Sequence, residues 1–537
     1  MLKAAAVVIG LAVLTIAMTW PLLSPSAAVL PDSDDAYFSV WRVAWVAHQL
    51  PRDPSQLFNA NIFHPTPGTL ALSDAMLLVS ILGAPAIWLG ASPAIVHNWL
   101  LGAAILSSAV FTFLLVRDLT RSLTAAWVAS VIFAFAPYRI AHLGHLELQW
   151  VMWMPLSLWL LHRLMAVPSP RAALSLGVAI TAQLFCSIYY GVFLSIYLGV
   201  AAIVMLVLWA PSPRRVIAVS PLIMAPVLFV VAIYGPAYAQ TRERLGARDV
   251  SEITEYSAVP ADYLRVPLNN RLRGSTDPGP APDERTLFPG TVAIAAAAAA
   301  FVPPVAPATW MYAGLVAFSV DASLGMNGFL FPLLHRIAPP LTSLRAPARF
   351  GVLVLLSVAV LAGYGIAKIT SRWPQVALTI GCVATLGCVL EYWSAPVSTR
   401  PNQEPPTPAH QWLAQQPAGI VVVELPMPET DSLWLYETTY VMRSTHHWQR
   451  LINGYSGFAP AEYQRSLTEL RGFPDQTSID RLRALNARYV LLNQEYYTPE
   501  DFTALIDRVS QSPWLIPPQS FGPEGRRIVV VELKPSS

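Results

Sequence analysis

Apolar runs of helical length recur along most of the chain, and short polar stretches separate them. The runs lie at residues 4–23, 93–116, 122–137, 150–165, 172–190, 191–210, 216–235, 290–304, 307–320, 350–367 and 375–392. A helix needs about 20 apolar residues to cross the hydrocarbon core of a bilayer, so the pattern predicts a polytopic α-helical membrane protein with about 11–13 spans. The further run 76–92, which contains Pro85, is predicted to be a half-span or an interfacial helix.

The first run is open to two interpretations. It follows Lys3 and precedes the small residues PSAA, a combination that also fits a cleaved signal peptide. A retained first span is favoured because many more spans follow. Residues 1–392 are therefore predicted to form one transmembrane domain.

The pattern changes after residue 392. The stretch SAPVSTRPNQEPPTPAHQW is rich in proline, which is typical of a linker, and we assign the linker to residues 393–410. Beyond it, GIVVVELP, RYVLLN and RRIVVVELKP have the apolar pattern of buried strands, whereas SIDRLRALNA has that of a helix. Residues 411–537 are predicted to form a small α/β domain.

Composition agrees with this division. Only 12% of the 537 residues are charged, against about 25% in a typical soluble domain. The charged residues number 39 among positions 1–392 and 27 among the 145 that follow. The net charge of +2 gives no reason to invoke a nucleic-acid partner. The cysteines lie in apolar runs, as small buried side chains do, and they predict neither a disulfide framework nor a metal pair.

Arginine and lysine in the short loops predict the orientation, because cytoplasmic loops carry an excess of positive charge. The pairs are Arg117 with Arg121, Arg163 with Arg171, Arg214 with Arg215, and Lys368 with Arg372. The loops 24–75, 138–149, 236–289 and 321–349 are then extracytoplasmic, together with the C-terminal domain. These outer loops hold every acidic residue of the transmembrane domain except Asp118 and Glu391. The function is therefore expected at the outer face.

The densest acidic cluster stands at the start of PDSDDAYFSVWRVAWVAHQL. Trp41, Trp45 and His48 follow it at helical spacing, which predicts an amphipathic helix lying at the membrane interface. Asp34 or Asp35 would cap that helix, or one of them would face a site. Both interpretations stay open at this point.

Short motifs across nearly the whole chain resemble those of a known superfamily. They are Asp35 with Trp41 and Trp45, then DPSQLFNANIFHP, LALSD, FAPYRIAHLGHLE, SLRAPARF and NGYSGFAP. Together with the predicted architecture they resemble the GT-C superfamily of membrane glycosyltransferases. The chain is most similar to bacterial glycosyltransferase-like membrane proteins related to the polyprenyl-phosphate-sugar-dependent mannosyl and aminoarabinosyl transferases.

The resemblance implies a location and a reaction. The location would be the bacterial inner membrane. The reaction would move a sugar from a polyprenyl-phosphate donor to an extracytoplasmic glycan, lipid or protein acceptor, with inversion at the anomeric carbon. It also implies a carboxylate base at the membrane surface, for which Asp35 is the first candidate and Asp34 the second.

The leaving phosphate requires cations, and arginine binds phosphate with two parallel hydrogen bonds. Arg345 and Arg349 are four residues apart, so they share a face if the turn is helical, although Pro347 between them could break a helix. Arg139 is the second candidate for the phosphate.

Four further residues are candidates for substrate binding. His142, His145 and Glu147 are expected to bind the acceptor or to form structural hydrogen bonds rather than to hold a metal, because Glu147 lies off the helical face that the two histidines share. Asp74 either caps the following apolar run or belongs to the site. No metal site is predicted; a requirement for Mg²⁺ or Mn²⁺, the sugar and the acceptor stay open.

Two alternative functions remain. A transporter or flippase for lipid-linked glycans has a similar polytopic plan, but transport sites usually lie near the bilayer midplane between broken helices. The concentration of polar residues in the outer loops favours the transferase. A non-catalytic partner in envelope assembly is the third interpretation. The C-terminal domain is assigned acceptor binding or packing against the outer loops.

Overall fold

A computed structural model describes residues 2–24, 29–208, 212–274, 282–337, 339–401, 406–428 and 436–535. Most of the described chain is helical. The helices of the first 392 residues are α1 (Leu2–Met18), α2 (Asp34–Gln49), α3 (Leu77–Trp88), α4 (Pro93–Thr120), α5 (Leu123–Phe135), α6 (Pro137–Ala141), α7 (Leu146–Gln149), α8 (Trp153–Ala166), α9 (Pro170–Cys186), α10 (Ile188–Leu208), α11 (Pro213–Val219), α12 (Pro221–Leu245), α13 (Val250–Glu255), α14 (Thr291–Ala299), α15 (Pro307–Ser323), α16 (Leu330–Ile337), α17 (Gly351–Arg372) and α18 (Ala377–Tyr392).

Each apolar run that predicted a span coincides with one of these helices. Six helical stretches of the described chain are long and apolar enough to cross a membrane: Pro93–Thr120, Leu123–Ala141, Ile188–Leu208, Pro213–Leu245, Pro347–Arg372 and Pro374–Tyr392. Shorter apolar helices occupy Ala4–Met18, Leu77–Trp88 and Pro170–Cys186. The 12-residue helix α3 covers about 18 Å, which is too short for a full span.

Helix α17 is the central helix of the transmembrane domain. In the most apolar 18-residue stretch of Pro347–Arg372, 89% of the residues are buried inside the protein. Helix α17 packs there against α5, α14 and α15. A Cβ atom at Gly365 would collide with the carbonyl oxygen of Ala296. Glycine therefore allows the close approach of α17 to α14.

The two acidic residues outside the predicted outer loops have structural partners. Glu391 accepts hydrogen bonds from the backbone nitrogens of Thr291 (2.8 Å) and Val292 (3.3 Å), the first residues of α14. Asp118 accepts a bond from the indole of Trp159 at 2.9 Å. These carboxylates stabilise helix termini and packing, which explains why they lie away from the other acidic residues.

The predicted small α/β domain is present after residue 406. Its helices are α19 (Pro408–Ala414), α20 (Glu437–Ser444), α21 (Ala461–Glu469), α22 (Gln476–Ala484) and α23 (Pro499–Gln511). Five strands pair in the order β4-β3-β5-β7-β6: β3 (Val421–Leu425), β4 (Arg450–Leu451), β5 (Ala487–Asn493), β6 (Gln519–Phe521) and β7 (Ile528–Glu532). Strand β3 is parallel to β4 and β5, whereas β7 is antiparallel to β5 and β6.

The segment predicted as a linker also contains regular structure. Its strand β2 (Thr399–Pro401) pairs antiparallel with β1 (Val29–Pro31) of the first outer loop, and α19 begins within it at Pro408. The described part of the segment therefore joins the C-terminal domain to the first outer loop by backbone hydrogen bonds.

Two expectations about α2 are wrong. Trp41 and Trp45 are 0% and 5% exposed, because α2 packs against α3, α4 and α20, so these tryptophans face protein and not lipid headgroups. The N-cap of α2 is Ser33, whose hydroxyl accepts a hydrogen bond from the Asp35 nitrogen at 3.2 Å. Asp34 and Asp35 occupy the first turn, where their charge favours the helix dipole, and neither is the cap.

We predict that Asn61→Ala loosens the docking of the C-terminal domain. The Asn61 amide accepts a bond from the Trp41 indole at 3.2 Å and donates to the Ser444 hydroxyl at 3.1 Å, and it is buried. Its loss leaves buried polar partners unsatisfied, so the free energy of unfolding should fall by about 2–4 kcal/mol. Thermal unfolding in detergent and limited proteolysis of the C-terminal domain measure the effect.

Asn59→Ala is the matched control. Asn59 is exposed, and its bonds go to Gln56 and Gly68 within the same loop. An Asn61 variant as stable and as protease-resistant as the control would contradict this account of docking.

Candidate active site

Four predicted outer loops and the C-terminal domain meet around one cavity of about 730 Å³. This volume lies within the range of small-molecule sites. Loop 24–75 contributes one wall, loop 138–149 a second, loops 236–289 and 321–349 two more, and residues 455–458 close it from the C-terminal domain. Six of the nine predicted site residues line the cavity: Asp35, Asp74, His145, Glu147, Arg345 and Arg349.

Asp35 faces the cavity and is held by two neighbours. The Tyr455 hydroxyl donates to its Oδ1 at 3.2 Å, and Nε2 of His145 lies 3.3 Å from its Oδ2. The carboxylate keeps 29% of its side chain exposed. It is therefore oriented by protein contacts and remains accessible to a ligand in the cavity.

Asp34 points away from the cavity, toward the C-terminal domain. Its Oδ1 accepts a hydrogen bond from Arg400 at 2.9 Å and one from Thr438 at 3.1 Å. Arg400 also binds Asp32 at 3.1 Å. The acidic cluster thus divides into a carboxylate in the cavity and two that bind Arg400 of the linker strand, one of which, Asp34, also binds Thr438 of the C-terminal domain.

Arg345 and Arg349 both line the cavity, but they do not share a helical face. Arg345 precedes the 3-10 turn that begins at Pro347, so no helix runs through both residues, in agreement with the alternative that Pro347 interrupts it. Arg349 is buried and donates to Glu284 at 2.8 Å, while its guanidinium lies 4.8 Å from the Tyr189 ring centroid. Burial, the largest single influence, raises the pKa of Glu284, but Arg349, His142 and His145 together outweigh it and hold that pKa below the usual range.

Glu147 lines the cavity and is paired with a buried arginine. Arg42 of α2 donates to its Oε2 at 2.7 Å, and the two side chains are 1% and 8% exposed. Arg42 also donates to the Asp74 carbonyl at 2.7 Å and to the Ser39 hydroxyl at 2.8 Å. These contacts assign Glu147 to the support of the cavity wall.

Asp74 caps a helix, but not the one that follows it in the chain. Its Oδ1 accepts a bond from the Ile188 nitrogen at 2.8 Å, and its Oδ2 one from the Ser187 hydroxyl at 2.6 Å, at the start of α10. Burial is the largest influence on this carboxyl group and raises its pKa. Asp74 therefore caps a helix, as one interpretation predicted, but that helix is α10 and not the apolar run that follows Asp74 in the chain.

The loop 138–149 separates its predicted site residues. Helix α6 ends at Ala141, so His142 and His145 do not lie on one helix, and that expectation is wrong. Burial lowers the pKa of His142 to about 3, and its Nδ1 lies 2.8 Å from the Tyr138 carbonyl oxygen. Arg139 is 1% exposed and donates to Gln149 at 3.0 Å. Arg139 and His142 are thus packed behind the cavity wall, and the assignment of Arg139 to the phosphate is not favoured.

The sequence reasoning missed several residues of this site. Arg248 lines the cavity, and Glu252, Glu284 and Arg42 are the ionic partners of wall residues. Helical periodicity could have found Arg42, which lies seven residues after Asp35 and on the same face. The acidic partners lie in a long loop without periodicity, so no local signal distinguished them.

One side of the cavity is apolar. Leu184 of α9, Val192 of α10, and Val230 and Val231 of α12 line it. Val231 is also 59% exposed, and only 11% of the most apolar stretch of Pro213–Leu245, which contains α12, is buried. The cavity wall therefore reaches the apolar flank that α12 presents to lipid.

The wall residues do not fit a resident metal ion. Of the three carboxylates in the wall, Glu147 is bound to Arg42, and Asp74 accepts bonds at the start of α10. Within the described ranges, no group of three His, Cys, Asp or Glu side chains could hold a metal.

We predict that Glu147→Gln acts on stability. The change leaves the Arg42 charge buried without a counterion, which should lower the free energy of unfolding by about 3–5 kcal/mol. The double variant Arg42→Met/Glu147→Leu removes both charges and should lose less. Thermal unfolding in detergent compares the two. A stable Glu147→Gln protein with impaired acceptor binding would instead assign this residue to the ligand.

The sequence has no match among protein-family models or curated proteins. Solved structures do match. The arabinofuranosyltransferase AftD from Mycobacteria superposes with a TM-score of 0.60 at 14% identity, over 99% of this chain and 41% of AftD. ArnT from Cupriavidus metallidurans in the apo state superposes with a TM-score of 0.52 at 12% identity, over 98% of this chain and 96% of ArnT.

These likenesses concern the fold. The chain spans about two fifths of the length of AftD and nearly all of ArnT. Together with the long apolar helices, they confirm the predicted fold of a polytopic helical membrane protein. The protein is a multi-pass membrane protein with the fold that AftD and ArnT share.

Proposed function

We propose that the protein is a membrane glycosyltransferase that moves a sugar from a polyprenyl-phosphate donor to an extracytoplasmic acceptor. The observation that carries the proposal is the cavity itself. There, the accessible carboxylate of Asp35 and the guanidinium groups of Arg345 and Arg349 line one space whose apolar side reaches lipid. The GT-C fold, which the chain shares with an arabinofuranosyltransferase, supports the same class of reaction.

The donor fits the cavity by its three chemical parts. Its prenyl chain packs against the apolar side formed by α9, α10 and α12, its phosphate binds arginine, and its sugar lies toward Asp35. Arg345 suits the phosphate best, because its side chain is 33% exposed and its contact with Glu252 is 3.6 Å long. Arg349 adds positive potential, although Glu284 balances its charge.

The chemistry follows from this placement. Asp35 takes the proton of the acceptor hydroxyl while that oxygen attacks the anomeric carbon. The bond between that carbon and the phosphate oxygen breaks, the configuration inverts, and polyprenyl phosphate leaves with the electron pair. The Tyr455 and His145 contacts fix the orientation of the base, which a general base requires.

The acceptor and the location complete the proposal. The acceptor is a cell-envelope glycan, lipid or protein with a free hydroxyl group. The membrane is the bacterial inner membrane, with the cavity and the C-terminal domain on the extracytoplasmic side, as the arginine-rich short loops at the opposite helix ends favour.

We predict that Asp35→Asn lowers turnover by about a hundredfold or more, because asparagine cannot take the proton. Asparagine is nearly isosteric and still accepts the Tyr455 hydrogen bond, so expression and thermal stability should stay close to wild type. The assay measures release of polyprenyl phosphate from a panel of polyprenyl-phosphate sugars in proteoliposomes that contain envelope acceptors.

Asp34→Asn is the matched control. Its carboxylate binds Arg400 and Thr438, so the change should weaken domain docking slightly and leave turnover within a few-fold of wild type. Full turnover in both variants would remove the acidic cluster as the source of the base. The non-catalytic and transport interpretations would then be favoured.

We further predict that Arg345→Gln raises the apparent KM for the donor by about tenfold, with less change in the acceptor KM. The variant removes a charged hydrogen-bond donor to phosphate, which is worth about 1.5–3 kcal/mol. Arg336→Gln, an exposed arginine of α16 in the same outer loop, is the control. An unchanged donor KM in Arg345→Gln would withdraw this residue from the phosphate site.

A further inference from the structure

Glu252 lies between two arginines of the cavity wall. Its Oε1 is 3.0 Å from Nη1 of Arg248 and 3.6 Å from Nη1 of Arg345. Its Oε2 accepts a second bond from Arg248 at 3.2 Å. Both arginines line the cavity. One carboxylate therefore serves as counterion to two guanidinium groups.

Other contacts hold the two arginines in position. The Arg248 guanidinium lies 3.3 Å from the Phe458 ring centroid, and its Nη2 donates to the Gly457 carbonyl at 2.6 Å. Arg345 lies 5.0 Å from the ring centroid of Tyr256. The two cations are thus fixed by aromatic rings and by the C-terminal domain, independently of Glu252.

The neighbouring ion pair behaves differently. Arg349 and Glu284 are 8% and 9% exposed, so separating them would leave two buried charges uncompensated. Glu252 and Arg345 are 28% and 33% exposed, whereas Arg248 is 12% exposed. Water can therefore replace the contact of Glu252 with Arg345 at small cost, while Arg248 keeps the Phe458 ring and the Gly457 carbonyl as partners when Glu252 leaves.

We propose that Glu252 is an internal counterion of Arg248 and Arg345 and that the phosphate of the donor displaces it from these two arginines. This inference rests on the proposed function. A phosphate group offers the guanidinium groups the same paired oxygen acceptors as a carboxylate. The exchange of one anion for another keeps the charge of the arginine pair balanced, while Glu252 turns to water.

The counterion sets a threshold for binding. Every anion that displaces Glu252 meets the same cost, so ratios of affinity are unchanged while all affinities fall. The headgroups of membrane lipids reach the cavity at high local concentration through its apolar side. Weakly held headgroups fail to displace the carboxylate, and a phosphate group whose lipid chain and sugar also fit the cavity succeeds.

The test measures the binding of dodecyl phosphate to the purified full-length protein in a non-ionic detergent by calorimetry. Glu252→Gln keeps the size of the side chain and removes its charge. Its dissociation constant for dodecyl phosphate should be about tenfold lower than that of wild type. Since a misfolded protein would not gain affinity, a gain is decisive. Unchanged or weaker binding would overturn the proposal.

Glu255→Gln is the matched control, because this carboxylate ends the same helix and is exposed. It should bind dodecyl phosphate as wild type does, and an equal gain in this variant would reduce the effect to net charge and overturn the proposal. A second measurement uses inorganic phosphate. If it binds more weakly than dodecyl phosphate, the occupant of the site is a lipid phosphate. If it binds more tightly, that identification is overturned.

The same measurement separates the two proposals. If wild type binds dodecyl phosphate and Glu252→Gln binds it no more tightly, the proposed counterion role of Glu252 is wrong, while the proposal of a polyprenyl-phosphate donor is unaffected. If none of the variants binds dodecyl phosphate, the donor assignment fails and the counterion fails with it.

Discussion

The buried guanidinium of Arg42 joins two walls of the cavity. It projects from α2, the helix that carries Asp35, and donates to Glu147 of the second outer loop and to the carbonyl of Asp74 in the first. Asp74 in turn accepts bonds at the start of α10. Because an unpaired charge at 1% exposure is very costly, these elements can only assemble in the arrangement that satisfies Arg42. The position of the proposed base follows from that requirement.

The C-terminal domain completes what the membrane helices begin. Alone, α2 would expose an aromatic face, and the domain covers it: the Trp45 ring centroid lies 5.9 Å from that of Trp448. Asn61 and Asp34 add polar links between the first outer loop and this domain, through Ser444 and Thr438. Tyr455 then reaches Asp35 directly. The domain is therefore part of the cavity, and the transmembrane domain alone would leave Asp35 with one fewer partner.

Local pattern predicted most of the architecture. The apolar runs correspond to helices, the Val-rich runs correspond to strands, and the loops assigned to the outer face do meet around one cavity. Asp35 was identified because it stands where a loop becomes a helix. The wrong predictions concern which residues are buried and which charges pair. Trp41 belongs to a residue type that favours the membrane interface, but it is buried because a domain more than 350 residues away in sequence packs against α2.

Ionic partners were hidden for the same reason. Arg42 and Glu147 are 105 residues apart, and Arg349 and Glu284 are 65 apart, so no periodicity connects them. A pattern of residue types predicts that most carboxylates of the transmembrane domain, and several arginines, lie in the outer loops. Only the packing of the loops decides which of them neutralise each other and which remain available to a ligand.

Burial decides the role of each charge around the cavity. The guanidinium groups of Arg42 and Arg349 are both buried against carboxylates, and such pairs act as fixed structural elements, since removing either partner leaves a charge without water. Arg345 and Asp35 keep about a third of their side chains exposed, so each can exchange a protein partner for a ligand. Carboxylates and arginines that are buried thus stabilise the cavity wall, and those that are partly exposed to water carry the proposed chemistry. A substitution that exposed the ion pair of Arg349 and Glu284 to water would give Arg349 the same freedom as Arg345, and both arginines would then be available to bind the phosphate.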